Sequence, residues 1–317
     1  MKKPTIPNKF HSESSSITIA EDYAGQRIDN FLFRKLRNVP KSRIYKMLRK
    51  GEVRVNKKRI HQDYKIQEND IIRIPPFWSE SEGVAKTPSA TLTKLLLDSI
   101  AYEDQGLIVI NKPAKIAAHG GSGINFGAIE TMRHARPDLK NLELVHRLDR
   151  DTSGCLMLAK KHSTLRAIHG LIREGLVKKT YLALLCGQLL KEQEVNVPIM
   201  KNQLQSGERV VKVSLNGKKA LTVFKPLKVY KNATLVEIEL HTGRTHQIRV
   251  HAAYIGHPVA GDEKYGDKEF NSEMKLLGLN RLFLHAKSLH FYLPTGKLIS
   301  VSLPLSPDLT KVCDQLV

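Results

Sequence analysis

The chain has 317 residues and a formal net charge of +20, with 51 Lys and Arg against 31 Asp and Glu. An excess of that size favours a polyanionic partner, either nucleic acid or an acidic membrane surface. No uncharged apolar stretch is long enough to span a bilayer, and the N-terminus lacks the apolar run of a signal peptide. The three cysteines are far apart, odd in number and without CxxC spacing, so neither a disulfide frame nor a zinc knuckle is indicated. We therefore expect a cytoplasmic protein with no membrane partner.

The N-terminal part of the chain is predicted to be a tail followed by a small domain. Residues 1–18 are polar and Ser-rich, which predicts a flexible tail, and residues 19–78 have the pattern of a compact unit. A first helix is predicted from Arg27, and a second from an N-cap at Ser42 to a left-handed cap at Gly51. Alternating residues predict short strands at 53–55, 64–66 and 71–74.

The charge of this unit is concentrated between residues 27 and 60, where thirteen Lys and Arg are opposed only by Asp29 and Glu52. A solvated helix face is the usual interpretation of a single lysine. So many like charges on two short helices and a hairpin would repel each other without a polyanion, and the segment is therefore predicted to bind nucleic acid. The expected contacts are Arg34, Arg43, Lys46, Arg49, Lys57 and Lys58.

A second domain is predicted over residues 99–317, after a linker at 79–98 that is rich in Ser, Thr, Pro and Gly. Strand-like runs outnumber helical segments there and do not alternate with them regularly. This pattern predicts an α+β fold with a large, mostly antiparallel sheet and a few flanking helices. The predicted strands are 107–110, 155–159, 180–185, 234–240, 282–285 and 298–303, and the predicted helices are 126–136, 162–174 and 245–255.

Residues 145–154 form a polar loop between two apolar strands, a setting that can hold a carboxylate rigidly. Asp149 and Asp151 are the candidates. Either of them could instead be structural, because Asp-Thr-Ser-Gly is also ordinary turn chemistry.

A helix predicted to start near Thr245 would place Thr245, His246 and Arg249 on one face. An arginine that faces a cleft or the interior needs a carboxylate partner. Tyr181 lies among apolar residues of a predicted strand, where a tyrosine is more often a core residue than a catalytic one.

Other patterns indicate chemistry less clearly. His146, Asp149 and Ser153 suggest a hydrolase triad, but they crowd one loop and no G-x-S-x-G turn is present. Residues 119–123 could cradle a phosphate, yet lack the Lys-Ser/Thr of a nucleotide loop, so we interpret them as a mobile loop near an RNA backbone. Cys155 is expected to be packing rather than a nucleophile. A metal site is also not expected, because no Cys or Glu completes the set His241, His246, His251 and His257.

Two motifs, residues 146–154 (HRLDRDTSG) and 243–251 (GRTHQIRVH), resemble the signature motifs of the RluA family of pseudouridine synthases. The basic unit resembles the αL-type RNA-binding domain (ribosomal protein S-four type) that many members of that family carry at the N-terminus. The likeness runs from about Ala24 to the C-terminus. Residues 119–123 and 280–285 are most similar to the RluC branch, which modifies the RNA of the large ribosomal subunit.

The resemblance implies a pseudouridine synthase fold and an enzyme that isomerises specific uridines of 23S ribosomal RNA, at more than one site. It implies catalysis without cofactor or metal, by base flipping and attack of an aspartate carboxylate. The partner would be 23S RNA in loops or disordered elements, before or during subunit assembly, and the enzyme a monomer.

The resemblance also assigns roles to individual residues. Asp149 would be the catalytic carboxylate, Arg249 its ion-pair partner and Tyr181 the ring against the target base. Arg147 would occupy the position that the flipped base vacates. His146, Arg244 and His246 would contribute to base flipping and RNA binding.

Two other functions are compatible with a basic domain of this type. A ribosomal RNA methyltransferase would need a glycine-rich strand-to-helix turn and a doubly wound sheet, and neither is apparent in the sequence. A non-catalytic RNA-binding or assembly factor could have the same fold. The intact residues Asp149, Arg147, Tyr181 and Arg249 disfavour it.

Overall fold

The computed structural model describes residues 9–36, 39–80, 87–121, 125–203 and 209–316. The chain divides into two compact units, Met1–Thr87 and Pro88–Val317. No helix within those described ranges is long and apolar enough to cross a membrane.

The described part of the smaller unit contains two α-helices and two small sheets. Its elements are β1 (Lys9–Ser12), β2 (Ser15–Thr18), α1 (Ile28–Lys35), α2 (Lys41–Lys50), β3 (Arg54–Val55), β4 (Ile71–Ile74) and β5 (Phe77–Glu80). Strands β2, β4 and β3 form an antiparallel sheet in that order, and β1 pairs with β5. Phe31, Ile44 and Ile72 are among the residues that fill its core. The predicted small domain of helices and short strands is confirmed.

The N-terminal segment is more ordered than its composition indicates. Strands β1 and β2 occupy much of residues 9–18, so the prediction of a flexible tail is wrong there, while residues 1–8 lie outside the described residues. Ile17 pairs with Ile72 and packs against the core. Ser15 and Ser16 are exposed, and the backbone of a Ser-rich segment can still pair because Ile17 supplies the contact with the core.

The ends of α2 show one difference from the prediction. The N-cap is Pro40, with φ of −55°, and not Ser42, because the proline ring holds the backbone at the angle that leads into a helix. Gly51 ends the helix in the left-handed region, with φ of 68°, as predicted. The strand predicted at 64–66 is reduced to a single bridge between Lys65 and Arg27.

The larger unit has a central sheet with helices around it. Its first elements are α3 (Ala90–Asp98), β6 (Ile100–Glu103), β7 (Leu107–Lys112), α4 (Ala128–Ala135), β8 (Glu143–Leu144), β9 (Ser153–Ala159), α5 (His162–Arg173) and β10 (Lys178–Cys186). The strands β11 (Gln193–Asn196), β12 (Ile199–Gln203), β13 (Arg209–Val213), β14 (Leu221–Val229) and β15 (Ala233–Leu240) follow. The last elements are α6 (Gln247–Tyr254), α7 (Lys268–Leu276), β16 (Leu284–Tyr292), β17 (Leu298–Ser302) and α8 (Pro307–Gln315).

The central sheet has the order β11-β14-β15-β10-β16-β9-β7-β6, with β17 added to β16 and β8 to β9. All its pairs are antiparallel except β16 with β9, which are parallel over Ser153–Gly154 and His285–Ala286. The predicted α+β fold with a mostly antiparallel sheet is confirmed. Strand β16 is the only link along this order between the β9-β7-β6 part and the β11-β14-β15-β10 part of the described sheet.

Part of the predicted linker is a helix. In α3, the Ser89 hydroxyl accepts the Leu92 N–H at 3.2 Å as an N-cap, and Leu96 is buried in the main core. The prediction of a linker over 79–98 is therefore wrong from residue 90 onward, because this short helix is held by a cap and a tertiary contact rather than by strong periodicity. It is also wrong at residues 79–80, which belong to β5 and pair with β1. Residues 81–86 lie outside the described residues.

Helix α6 begins later than predicted. His246 has φ of 54°, in the left-handed region, so it precedes the helix, as does Thr245. The Gln247 side-chain oxygen accepts the Thr242 hydroxyl at 2.7 Å and the Arg244 N–H at 3.0 Å. These bonds hold a tight turn ahead of the helix, and the predicted helical face shared by Thr245, His246 and Arg249 does not exist.

Candidate active site

A cavity of about 570 Å³ in the larger unit is lined by residues from the loop before β9, from β10 and from the start of α6. The structure thus brings together all three segments that the sequence singles out, along with part of the 119–123 loop; residues 122–124 lie outside the described residues. The predicted site residues that line it are His146, Arg147, Asp149, Tyr181, Arg244, His246 and Arg249.

Asp149 lies in this cavity with 29% of its side chain exposed. Its backbone carbonyl accepts the Thr152 N–H at 3.2 Å, which closes the turn. Asp151 differs, because it does not line the cavity and lies 3.5 Å from the exposed Arg150 guanidinium. Of the two candidate carboxylates, Asp149 has the setting that chemistry requires.

Arg249 connects two carboxylates. Its Nη1 lies 3.3 Å from Asp149 Oδ2, while its Nε and Nη2 donate to the two oxygens of Asp262 at 2.6 and 2.7 Å. The Asp262 side chain is fully buried, and its Oδ1 also accepts the N–H groups of Lys264 and Tyr265. A bidentate, buried pair of this kind fixes the orientation of the guanidinium and leaves one edge free for Asp149.

The opposite charges of Arg249 and Asp262 stabilise each other. Burial opposes the charge on Arg249, but the hydrogen bonds and attraction of Asp262, together with Asp149, raise the pKa of Arg249 above its ordinary value. Burial likewise opposes the charge on Asp262, and Arg249 outweighs it, so the pKa of Asp262 falls below its ordinary value. Both groups are therefore charged at neutral pH.

His246 lines the cavity beside Asp149 and contacts Tyr265. His246 Nε2 is 3.9 Å from Asp149 Oδ2, and His246 Nδ1 is 2.9 Å from the Tyr265 hydroxyl. That hydroxyl also accepts the Val211 N–H at 2.9 Å, which holds the tyrosine in place beside the histidine. The pKa of His246 is lowered, mainly by burial.

Tyr181 lies near the middle of β10, opposite Ile238 and Ala286 on the neighbouring strands. Its ring is buried and also lines the cavity. Burial, with smaller effects of Asp149 and Cys155, raises the pKa of the Tyr181 phenol, so the hydroxyl stays protonated at neutral pH. The residue is therefore both a core residue and an uncharged ring beside Asp149.

Lys112 holds the loop that carries Asp149 by a hydrogen bond to its backbone. This fully buried lysine at the end of β7 donates from Nζ to the carbonyl oxygens of Pro113 and Ile116, both at 2.8 Å, and of Arg150 at 3.1 Å. The last bond fixes the backbone of the residue that follows Asp149. Lys112 was not predicted from the sequence, because a Lys at the end of an apolar strand usually reaches solvent.

The titration of Lys112 predicts a pH effect on stability. Burial lowers the pKa of Lys112 from 10.5 to about 7, against the attraction of Asp151 and Asp149. Between these pKa values the folded chain binds fewer protons at this residue than the unfolded chain, so its contribution to the free energy of unfolding rises with pH. From pH 7 to pH 9, the stability of the wild type relative to Lys112→Met should therefore rise by about 2 kcal/mol.

Urea unfolding of both proteins at the two pH values measures this difference. Lys115→Met, which removes an exposed lysine three residues after Lys112, is the matched control. A difference between the wild type and Lys112→Met that stays constant with pH would contradict the prediction.

The remaining predicted residues near the cavity differ in exposure. Arg147 is exposed, with its Nη1 3.3 Å from His119 Nε2, and Arg244 is exposed with its Nε donating to the Lys219 carbonyl at 3.2 Å. His146 Nε2 accepts the Met157 N–H at 3.2 Å, and burial lowers its pKa to about 3. His146 is thus a neutral ring that ties the loop to β9, whereas the two arginines are accessible to a ligand.

The basic residues of the smaller unit are surface residues of α1, α2 and the β3 turn. Lys46, Arg49, Lys57 and Lys58 are exposed, and Arg34 is half-buried. Arg43 lies 2.8 Å from Glu52, so part of its charge is already neutralised within the unit. The charge of Arg43 is therefore only partly available to a polyanion.

The structure gives other contacts to the residues that were considered for a hydrolase triad, a cysteine nucleophile and a metal site. Ser153 Oγ lies 2.9 Å from His285 Nδ1 and accepts from Arg281, so it forms no triad with His146 and Asp149. Burial raises the pKa of Cys155 to about 12, which keeps that thiol protonated. His251 and His257 contact protein oxygens, and no cluster of potential metal ligands occurs within the described residues.

Asp262, Tyr265 and Lys179 were also not predicted from the sequence. The sequence indicated that Arg249 needs a carboxylate partner. Nothing in the spacing indicated that Asp262, thirteen residues later, would make shorter hydrogen bonds to Arg249 than Asp149 does. Lys179 lines the cavity, and burial lowers its pKa. Its neighbour Lys178 is exposed, so the sequence alone could not separate the two.

Comparisons with known proteins agree with the geometry. Residues 106–254 match a family model described as RNA pseudouridylate synthase, and residues 26–72 match the S4 domain model. The chain is 54% identical over 303 residues to ribosomal large subunit pseudouridine synthase C of Pasteurella multocida (strain Pm70), which covers 95% of this chain and 93% of that protein. It is 51% identical over 305 residues to the protein of the same name from Escherichia coli (strain K12), with coverage of 95% and 96%.

Solved structures show the same similarity in the catalytic region. Human RNA pseudouridylate synthase domain containing 4 aligns with a TM-score of 0.59 and 27% identity, over 71% of this chain and 95% of that one. Human RNA pseudouridylate synthase domain containing 1 aligns with a TM-score of 0.58 and 27% identity, over 71% and 89%.

Proposed function

The chain belongs to the RNA pseudouridylate synthase family, and from this premise we propose that it isomerises uridines of 23S ribosomal RNA, at more than one site, with Asp149 as the catalytic carboxylate. The observation that carries the proposal is the Asp149 carboxylate in a cavity, 3.3 Å from an arginine that a buried aspartate holds in place.

The reaction needs few chemical groups. The bond from uracil N1 to the ribose breaks, the base turns, and carbon 5 bonds to the ribose while its proton is lost and N1 gains one. Atoms and electrons balance within the nucleotide, so no oxidant or transferred group is required. A carboxylate can act as nucleophile at uracil carbon 6 or act at the ribose, and Asp149 has the position and the charged partner for either role.

Access to the base determines the remaining roles. A stacked uridine cannot reach Asp149, so the nucleotide must be turned out of its helix or loop. The cavity, at about 570 Å³, is large enough for one turned-out base, with the Tyr181 ring as a wall. We assign the exposed Arg147 to the space that the base vacates, and Arg244, His246 and the His146 loop to the surrounding RNA.

The substrate assignment rests on the relatives and on charge. Both curated relatives described above are named for the large ribosomal subunit, and they cover nearly the whole chain. The exposed lysines and arginines of the smaller unit suit a phosphate backbone. Loops and disordered elements, before or during subunit assembly, are the expected targets, since their bases can be splayed out. We further expect a monomer that works in the cytoplasm.

The test is pseudouridine mapping on purified RNA. Unmodified 23S RNA incubated with the protein and a chelator, without any added cofactor, should gain pseudouridine at specific positions, whereas small-subunit RNA and transfer RNA should not. Modification of transfer RNA alone would contradict the substrate assignment but not the reaction. Transfer of a methyl group would contradict both, although the mostly antiparallel central sheet already disfavours a methyltransferase.

The basic surface predicts a strong dependence of binding on salt. Replacing Lys57 and Lys58 together by Ala should make the slope of log affinity against log salt shallower by roughly 1.5, because two phosphate contacts are lost. Filter binding or fluorescence anisotropy across a salt series measures the slope. The pair Lys191→Ala and Lys311→Ala removes equal charge from exposed sites of the larger unit and is the control. Equal slopes for both double variants would contradict a specific role of the β3 turn.

A further inference from the structure

An aromatic pair lies at the surface of the smaller unit, between its two helices. Phe33 on α1 and Tyr45 on α2 meet edge to face, with ring centroids 5.4 Å apart and planes at 79°. Phe33 is half-buried against the core of the unit. Tyr45 is 36% exposed, so its ring is available to solvent beside a supporting ring.

The core of the unit does not account for Tyr45. Helix α2 buries Ile44, Met47 and Leu48, and Tyr45 belongs to neither the buried core nor the half-buried residues that pack against it. Its contact with Phe33 explains the covered part of the ring. The exposed part of the ring makes no contribution to the core and is open to a ligand.

Positive charge surrounds the pair. Lys41 Nζ lies 5.2 Å from the centroid of the Phe33 ring. Along α2, Lys41 precedes Tyr45 by one turn and Arg49 follows it by one turn, so the tyrosine lies between two exposed cations on one helix face. Rings set between cations are the arrangement by which proteins hold unpaired nucleic acid, with bases stacked on the rings and phosphates near the charges.

We propose that the Phe33–Tyr45 pair is a stacking platform for one unpaired RNA base, with Lys41 and Arg49 contacting the phosphates on either side. The proposal rests on the proposed function, since it takes ribosomal RNA as the ligand, and it adds a base-binding site in the smaller unit. Stacking requires no particular base, because every base has a π face. The site therefore recognises an unpaired nucleotide rather than a sequence.

The experiment separates stacking from charge. In the full-length chain, Tyr45→Leu keeps an apolar side chain of good helix propensity but removes the ring, and its affinity for 23S RNA fragments should fall about 5- to 100-fold. The slope of log affinity against log salt should stay unchanged, because no charge is lost. Tyr45→Phe keeps a ring and should bind like the wild type. Lys41→Ala should instead make the slope shallower.

Controls make the result decisive. Tyr254→Leu removes an exposed ring from the larger unit and should leave binding unchanged. Thermal unfolding of each variant should show a folded chain at the assay temperature, although Tyr45→Leu loses the edge-to-face contact with Phe33. Wild-type affinity of Tyr45→Leu, or equal losses in Tyr45→Leu and Tyr45→Phe, would overturn the platform. A wild-type chain that neither binds nor modifies 23S RNA would instead overturn the proposed function.

Discussion

Replacing Asp149 by Asn should reduce pseudouridine formation by roughly four orders of magnitude or more, the scale of losing a catalytic nucleophile, while RNA binding persists. The amide nearly matches the carboxylate in shape, so the cavity and the Arg249 side chain stay in place. It carries no negative charge and is a poor nucleophile. Single-turnover assays of isomerisation, with binding measured in parallel, separate the two effects.

Asp151→Asn is the matched control for this prediction. It makes the same chemical change two residues away, at a carboxylate outside the cavity that pairs with exposed Arg150. Its activity should stay within a few-fold of the wild type. If Asp149→Asn retained activity and Asp151→Asn lost it, the assignment of the catalytic residue would be wrong.

Arg249→Met should destabilise the protein by about 3–5 kcal/mol and abolish activity. The substitution leaves the fully buried Asp262 carboxylate without the guanidinium that donates two hydrogen bonds to it. An uncompensated buried charge is the main cost, and Asp149 loses its ion-pair partner as well. Urea unfolding measures the stability and the isomerisation assay measures the activity.

The double variant Arg249→Met with Asp262→Asn tests the cause. Removing the buried charge should recover part of the lost stability, because a neutral amide costs less to bury than a carboxylate. Activity should not return, since Asp149 still lacks its partner. A double variant no more stable than Arg249→Met would show that the loss comes from packing rather than from charge.

The fold could be predicted from the sequence where periodicity and length agree. Strands β7, β9, β10 and β15 are long apolar runs and lie close to the predicted bounds. Helices α7 and α8 and strands β11–β14 were not predicted, because few of their residues form unbroken apolar runs and their burial depends on partners distant in sequence. The helix start near Thr245 was misplaced, since a left-handed residue at His246 leaves no mark in an otherwise helical pattern.

The individual residues of the site could be predicted from the sequence, but the contacts that hold them in place could not. The resemblance indicated Asp149, Tyr181 and Arg249, and the structure brings all three to one cavity. Two supports came only from tertiary structure, namely the buried Asp262 behind Arg249 and the buried Lys112 under the loop. Asp and Lys side chains are usually exposed, so the sequence predicts that both residues lie at the surface, whereas the structure buries them.

The position of β16 in the sheet has a consequence for synthesis of the chain. Asp149 precedes β9, while Tyr181 and Arg249 belong to β10 and α6, and β16 lies between β9 and β10. Residues 284–292 therefore join the two parts of the proposed active site. A nascent chain still lacking these residues already contains Asp149, Tyr181 and Arg249 but has no strand to align them, so we expect the enzyme to stay inert until β16 has been synthesised.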